Sequence, residues 1–102
     1  MAVIKSVITR RVKEGKAMSV FSLLNKLRTE ALNQPGYISG ETLVGHDDPA
    51  KFMVIATWLN LESWLKWKES PLRRETEAKI QEHLTEPTRI EVFTLGAFPH
   101  KK

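Results

Sequence analysis

Residues 51–59, Lys51-Phe52-Met53-Val54-Ile55-Ala56-Thr57-Trp58-Leu59, decide the fold. Side chains of an extended chain alternate between faces, so Phe52, Val54, Ala56 and Trp58 share one side and Met53, Ile55, Thr57 and Leu59 the other. Both sides are mainly apolar and no residue breaks the run, which is the pattern of a central strand covered on two faces. Asp47-Asp48-Pro49-Ala50 supplies the turn before it, and Asn60 a cap for the helix after it.

Outward from this strand, the remaining segments take clear periods. Val3 to Val12 is rich in β-branched residues and reads as a first strand. Glu14-Gly15 turns the chain. From Lys16 to Asn33, residues Ala17, Val20, Phe21, Leu24, Leu27 and Ala31 recur at helical spacing, and Gln34-Pro35-Gly36 stops that helix. Tyr37 to His46 is a second strand, in which Gly40 and Gly45 mark bulges or close backbone approaches. After Asn60, Leu61, Trp64 and Leu65 are expected on one helical face, with Trp67 at its edge between Lys66 and Lys68. Ser70-Pro71 starts a second helical segment carrying Leu72, Thr76, Ile80 and Leu84. Glu86-Pro87 ends it, and Thr88 to Ala97 forms the last strand.

The order is strand, helix, strand, strand, helix, strand. It predicts an α+β, ferredoxin-like βαββαβ fold with a four-stranded antiparallel sheet, strands one and three central, and the helices on one face. The uncovered face would leave the apolar far side of residues 51–59 in water. A second copy packed sheet to sheet is the simplest lid, so a homodimer is expected.

Composition narrows the function classes. The 102 residues suit one domain spanning 1–102, and 41% apolar with 27% charged residues argues against disorder. There is no cysteine, so disulfides, thiolate metal sites and cysteine nucleophiles are absent. No signal peptide or membrane-length apolar run is visible, and a cytoplasmic location with no membrane partner is expected. The net charge is +4, but sixteen basic residues are interspersed with twelve acidic ones. Arg10-Arg11, Arg73-Arg74 and His100-Lys101-Lys102 are the densest basic groups and read as solvated surface, so no nucleic-acid partner is expected. His46, His83 and His100 have no metal-site spacing, and no serine sits in a nucleophile motif.

Three tryptophans, Trp58, Trp64 and Trp67, fall within ten residues of the strand–helix junction. Such clustering means a large core anchor, an aromatic ligand pocket, or both. Together with Pro35-Gly36-Tyr37, Asp47-Asp48-Pro49-Ala50-Lys51-Phe52, Glu62-Ser63-Trp64 and Ser70-Pro71, they make the chain resemble the antibiotic-biosynthesis monooxygenase superfamily of dimeric α/β barrels. The resemblance follows the element order of nearly the whole chain, and its sequence signature sits mainly in residues 35–74.

That resemblance implies a pocket between helices and sheet, and oxygen chemistry on an aromatic or quinol-type small molecule without flavin, haem or metal. Trp64 and Trp67, about 60° apart around a helix, can share one ligand edge with Trp58 nearby. Trp67 is the leading pocket wall. Tyr37 is a candidate hydrogen-bond partner for a phenolic oxygen, and Arg73 or Arg74 for the oxyanion, although a rim tyrosine and surface arginines are the plainer readings. His83 is a candidate base, or simply a cation suited to a helix C-terminus. The haem-degrading branch of the superfamily is a sharper alternative, since Trp67 matches its tryptophan. The haem-ligating histidine of that branch is here Glu77, however, and its strand-one asparagine is Ile8. A non-catalytic small-ligand-binding or stress-related dimer is the third reading.

Overall fold

The computed structural model describes residues 2–96. The elements are β1 (Ile4–Arg11), α1 (Ala17–Ala31), β2 (Tyr37–Val44), β3 (Lys51–Trp58), α2 (Leu61–Lys68), α3 (Pro71–Gln81) and β4 (Arg89–Thr94). One antiparallel sheet runs in the order β2-β3-β1-β4, so the two most continuously apolar strands are central, as the alternation predicts. The arrangement is ferredoxin-like α+β. The expected last strand reached Ala97; β4 ends at Thr94, and Ala97 lies outside the described residues.

Register places the two faces. Ile4 pairs with Trp58, Ser6 with Ala56, Ile8 with Val54 and Arg10 with Phe52, which puts these eight side chains on the helix-covered side. The core joins Ile4, Ile8, Phe52 and Trp58 from the sheet to Val20, Leu24 and Leu27 of α1 and Ile80 of α3. On the opposite side Val7, Met53 and Ile55 are half-buried, while Leu43 and Phe93 are exposed.

Local chemistry sets the element ends. The Asn60 side chain accepts a hydrogen bond from Ser63 N at 2.8 Å, and the Ser70 hydroxyl accepts from Arg73 N at 3.1 Å, with Pro71 opening α3. Gly36 has φ +86°, and a Cβ there would strike Ser63, so the turn into β2 packs directly on α2. The β2–β3 register shifts between Tyr37 and Ser39, so the irregularity falls at Ile38 rather than at Gly40 or Gly45, which are close approaches instead.

Two expected apolar stripes are corrected. In α2 the inward pair is Trp64 and Trp67, while Leu61 and Leu65 are 48% and 43% exposed. In α3, Arg73, Thr76 and Ile80 face inward and Leu72 is exposed. α2 is turned by roughly one residue from the orientation that buries most leucine, whereas in α3 Thr76 and Ile80 are buried as expected, as is Leu84 beyond it, and only Leu72 gives way to Arg73. The two indoles fill more volume against Trp58 than two leucines would, and the Arg73 side chain is drawn towards the part-buried carboxylate of Glu77.

Candidate functional site

A cavity of about 60 Å³ lies between the helices and the inner face of the sheet. Its walls come from every layer: Ser6, Ile8 and Arg10 of β1, Ala56 and Trp58 of β3, Tyr37 at the start of β2, Trp64 and Trp67 of α2, and Arg73 of α3. Alternation on β1 aims Ser6 and Arg10 the same way as Ile4 and Ile8, and the helix caps at Asn60 and Ser70 set where α2 and α3 begin.

The aromatic wall is built around Trp58. Its ring lies 6.1 Å from that of Trp64, 6.5 Å from Trp67 at an interplanar angle of 26°, and 5.3 Å from Tyr37, which meets it edge-on. These are favourable aromatic geometries. Trp58, Trp64 and Trp67 are all buried, and Tyr37 is half-buried. The Tyr37 hydroxyl rests where a Gly40 side chain would begin, 2.6 Å from the position of a Cβ.

Beside it lies a charged wall. Arg10 Nη2 donates to Glu77 Oε1 at 2.5 Å, and Arg73 Nη2 is 3.8 Å from the same oxygen, beyond hydrogen-bonding distance. Thr88 Oγ1 donates to Glu77 Oε2 at 2.6 Å. Arg73 also donates weakly to Lys68 O at 3.5 Å, and its guanidinium sits 5.6 Å over the Trp64 ring, a cation–π contact. Burial pulls Arg73 below its ordinary pKa; Glu77 opposes that shift and Arg10 reinforces it. Two guanidinium groups thus share one carboxylate.

Of the residues singled out by sequence, the cavity brings together Trp58, Trp64, Trp67, Tyr37 and Arg73. Arg74 is exposed and lines no part of it. His83 lies in a separate surface groove beside Met18, Ser22 and Lys79. Reading Arg10 and Arg73 as solvated surface is corrected, since they are 2% and 5% exposed. Sequence reasoning also passed over Ser6. The signal was present: Ser6 and Arg10 occupy the inward alternation of β1, where apolar residues belong.

A sequence model of the antibiotic biosynthesis monooxygenase family matches residues 3–79. The chain belongs to that family. No curated protein sequence matches it. Among solved structures, this family member is similar to a conserved protein from Methanosarcina mazei, 22% identical, with TM-score 0.86 over 91% of this chain and 92% of that one. It is likewise similar to SnoaB, a cofactor-independent oxygenase from Streptomyces nogalater, at 16% identity and TM-score 0.84 over 99% and 100% of the two chains. Rv0793 from Mycobacterium tuberculosis gives 14% identity and TM-score 0.85 over 97% and 100%. At these identities the likeness is one of fold.

The residues present do not fit haem ligation. Glu77, at the position of the ligating histidine, has both oxygens engaged by Arg10 and Thr88, and Ile8 offers no polar group. Among the described residues no three His, Asp or Glu side chains gather as metal ligands, and no helix is long and apolar enough to cross a membrane.

Proposed function

We propose that this family member is a cofactor-independent monooxygenase acting on an aromatic or quinol-type small molecule. The observation that carries the reading is the cavity itself, an indole-walled space that buried cationic groups also line. A phenol oxygenated at a ring carbon balances as ArH(OH) + O2 → quinone + H2O, with the ring supplying the electrons, so no external reductant enters. The chain's part is to hold the ring against the Trp58 and Trp67 indoles, exclude water, and stabilise the anion formed when the phenol loses its proton. Arg73 and Arg10 give the cavity a positive field that favours an anionic substrate, and Tyr37 supplies a hydrogen-bonding group at the aromatic wall. His83 and Arg74, outside the cavity, take no part. Oxygen uptake by purified protein with a panel of phenols, hydroquinones and anthrones tests the reading, with quinone formed one for one with O2 consumed. The same aerobic background with and without protein for every compound would refute it.

The working form we propose is a cytoplasmic homodimer. The uncovered sheet face carries Val7, Met53 and Ile55 at its centre, flanked by exposed Leu43 and Phe93. Such a face is costly in water, and a second sheet at about 10 Å would cover it.

A further inference from the structure

Six buried side-chain polar atoms among the described residues have no hydrogen-bond partner, and four of them belong to residues that line the cavity. They are Ser6 Oγ, Arg10 Nε, Trp58 Nε1 and Arg73 Nη2. Each belongs to a side chain at least nine-tenths buried. All four can donate, and three can do nothing else. A buried donor left unpaired is costly, so four such donors around one cavity point to an acceptor as the ligand's matching chemistry.

The charges point the same way. Arg10 and Arg73 are buried with the carboxylate of Glu77 between them, and Glu69, which also acts on Arg73, is exposed and screened by water, so the inner wall is left net positive. The other charged groups at the cavity, Arg28 and Glu41, are exposed at its mouth, where water screens them. A buried charge persists when a counter-charge completes it.

The donors also fall at two ends. Ser6 and Arg10 are four residues apart on one face of β1, about 13 Å along the strand. Ser6 is paired with Ala56, next to Trp58 on that face, whereas Arg10 joins Glu77 and Arg73. Trp58, paired with Ile4, lies at the Ser6 end, and the Trp64 ring carries the Arg73 guanidinium.

We infer that the cavity takes a hydroxylated aromatic acid, its carboxylate held by Arg10 and Arg73 and its ring oxygen by Ser6 and Trp58. This deepens the monooxygenase reading and rests on its assignment of the cavity as the substrate site. A carboxylate supplies the missing negative charge and two oxygens for the guanidinium donors. Size selects one ring over a fused system: an apolar cavity of roughly 150 Å³ holds benzene, and the partly open space here is about 60 Å³. Even one ring needs a wall to move, and Tyr37 is the half-buried member of that wall.

Anaerobic titration of tryptophan fluorescence with 4-hydroxybenzoate, its neutral isostere 4-hydroxybenzamide, and acetate tests the inference. The acid should bind at least ten-fold more tightly than the amide, and acetate should not compete at comparable concentration. Arg73→Met should abolish the preference, raising the acid's Kd at least ten-fold more than the amide's. Should that variant not fold, Glu77→Gln, which removes the one compensating charge, should enlarge the preference instead. Equal binding of acid and amide, no binding of the acid, competition by acetate at matching concentration, or a preference untouched by the variant would each overturn the proposal. No oxygen is consumed in the titration. A ten-fold preference without oxygen uptake on any phenol therefore sinks the monooxygenase reading alone, and oxygen uptake without the preference sinks this inference alone.

Discussion

Arg10 on β1 and Glu77 on α3, 67 residues apart in sequence, meet at 2.5 Å in the layer between sheet and helices. The contact fixes the rotation of α3 and brings Arg73, one turn earlier, to the same carboxylate. It also turns a packing interface into a cationic wall. Removing one member of a buried pair strands the other, at a cost of about 3–5 kcal/mol. Glu77→Ala should therefore destabilise strongly, and combining it with Arg10→Met should cost less than the sum of the two single changes, by about 1 kcal/mol or more. Urea melts of the three variants measure the coupling, and strict additivity would mean the pair is incidental.

The indole cluster gives a second expectation. Trp64 is 1% exposed and Trp67 5%, so Trp64→Ala should cost about 3–5 kcal/mol and Trp67→Phe on the order of 1 kcal/mol. Leu65→Ala on the outer face should stay within about 0.5 kcal/mol. Placing Trp67 at the edge of a leucine stripe suggests instead that Trp67→Phe leaves stability unchanged. Thermal melts separate the two views.

Gly40 sits beneath the Tyr37 hydroxyl, where a methyl group would lie 2.6 Å from the oxygen. Because the displaced atom is the far end of a side chain, Gly40→Ala should be nearly neutral for stability yet swing Tyr37 away from Trp58. The expected result is altered binding of aromatic ligands with an unchanged melting temperature. A loss of fold would show that Tyr37 cannot yield.

On the uncovered face, Ile55→Asp should convert a dimer to a monomer while sparing the helix-side core, since Ile55 pairs with Val7 and Glu41 across the sheet and points away from the helices. Sedimentation velocity reads this directly. Wild-type protein that sediments as a monomer at low micromolar concentration would remove the dimer.

Asp48 and Arg11 make a surface ion pair at 2.7 Å. The hydrogen bond from Arg11 is the largest cause holding the Asp48 carboxyl below its ordinary pKa. A carboxyl depressed in the folded state stabilises above its unfolded value, about 3.9, and the benefit is lost as pH falls through the lower folded value. Asp48→Asn should thus melt slightly below wild type at pH 7, and the gap should close below pH 4 or so. A gap that persists in acid would assign the effect to turn geometry instead.

Read alone, the sequence determined the element order, the central placement of β1 and β3 and the clustering of the tryptophans. Those properties follow from local periodicity, caps and breakers, which act over a few residues and are written directly in the chain. What only the tertiary structure decided is the chemistry of the inner wall. Whether Arg73 or Leu72 faces inward depends on a carboxylate in the same helix and an arginine on a distant strand. Whether Leu61 or Trp67 is buried depends on the shape of Trp58 across the layer. Arg10-Arg11 reads as a surface pair because both are charged and basic residues are interspersed with acidic ones; alternation sends one of the two inward, and only Glu77 on α3 shows how Arg10 is accommodated there.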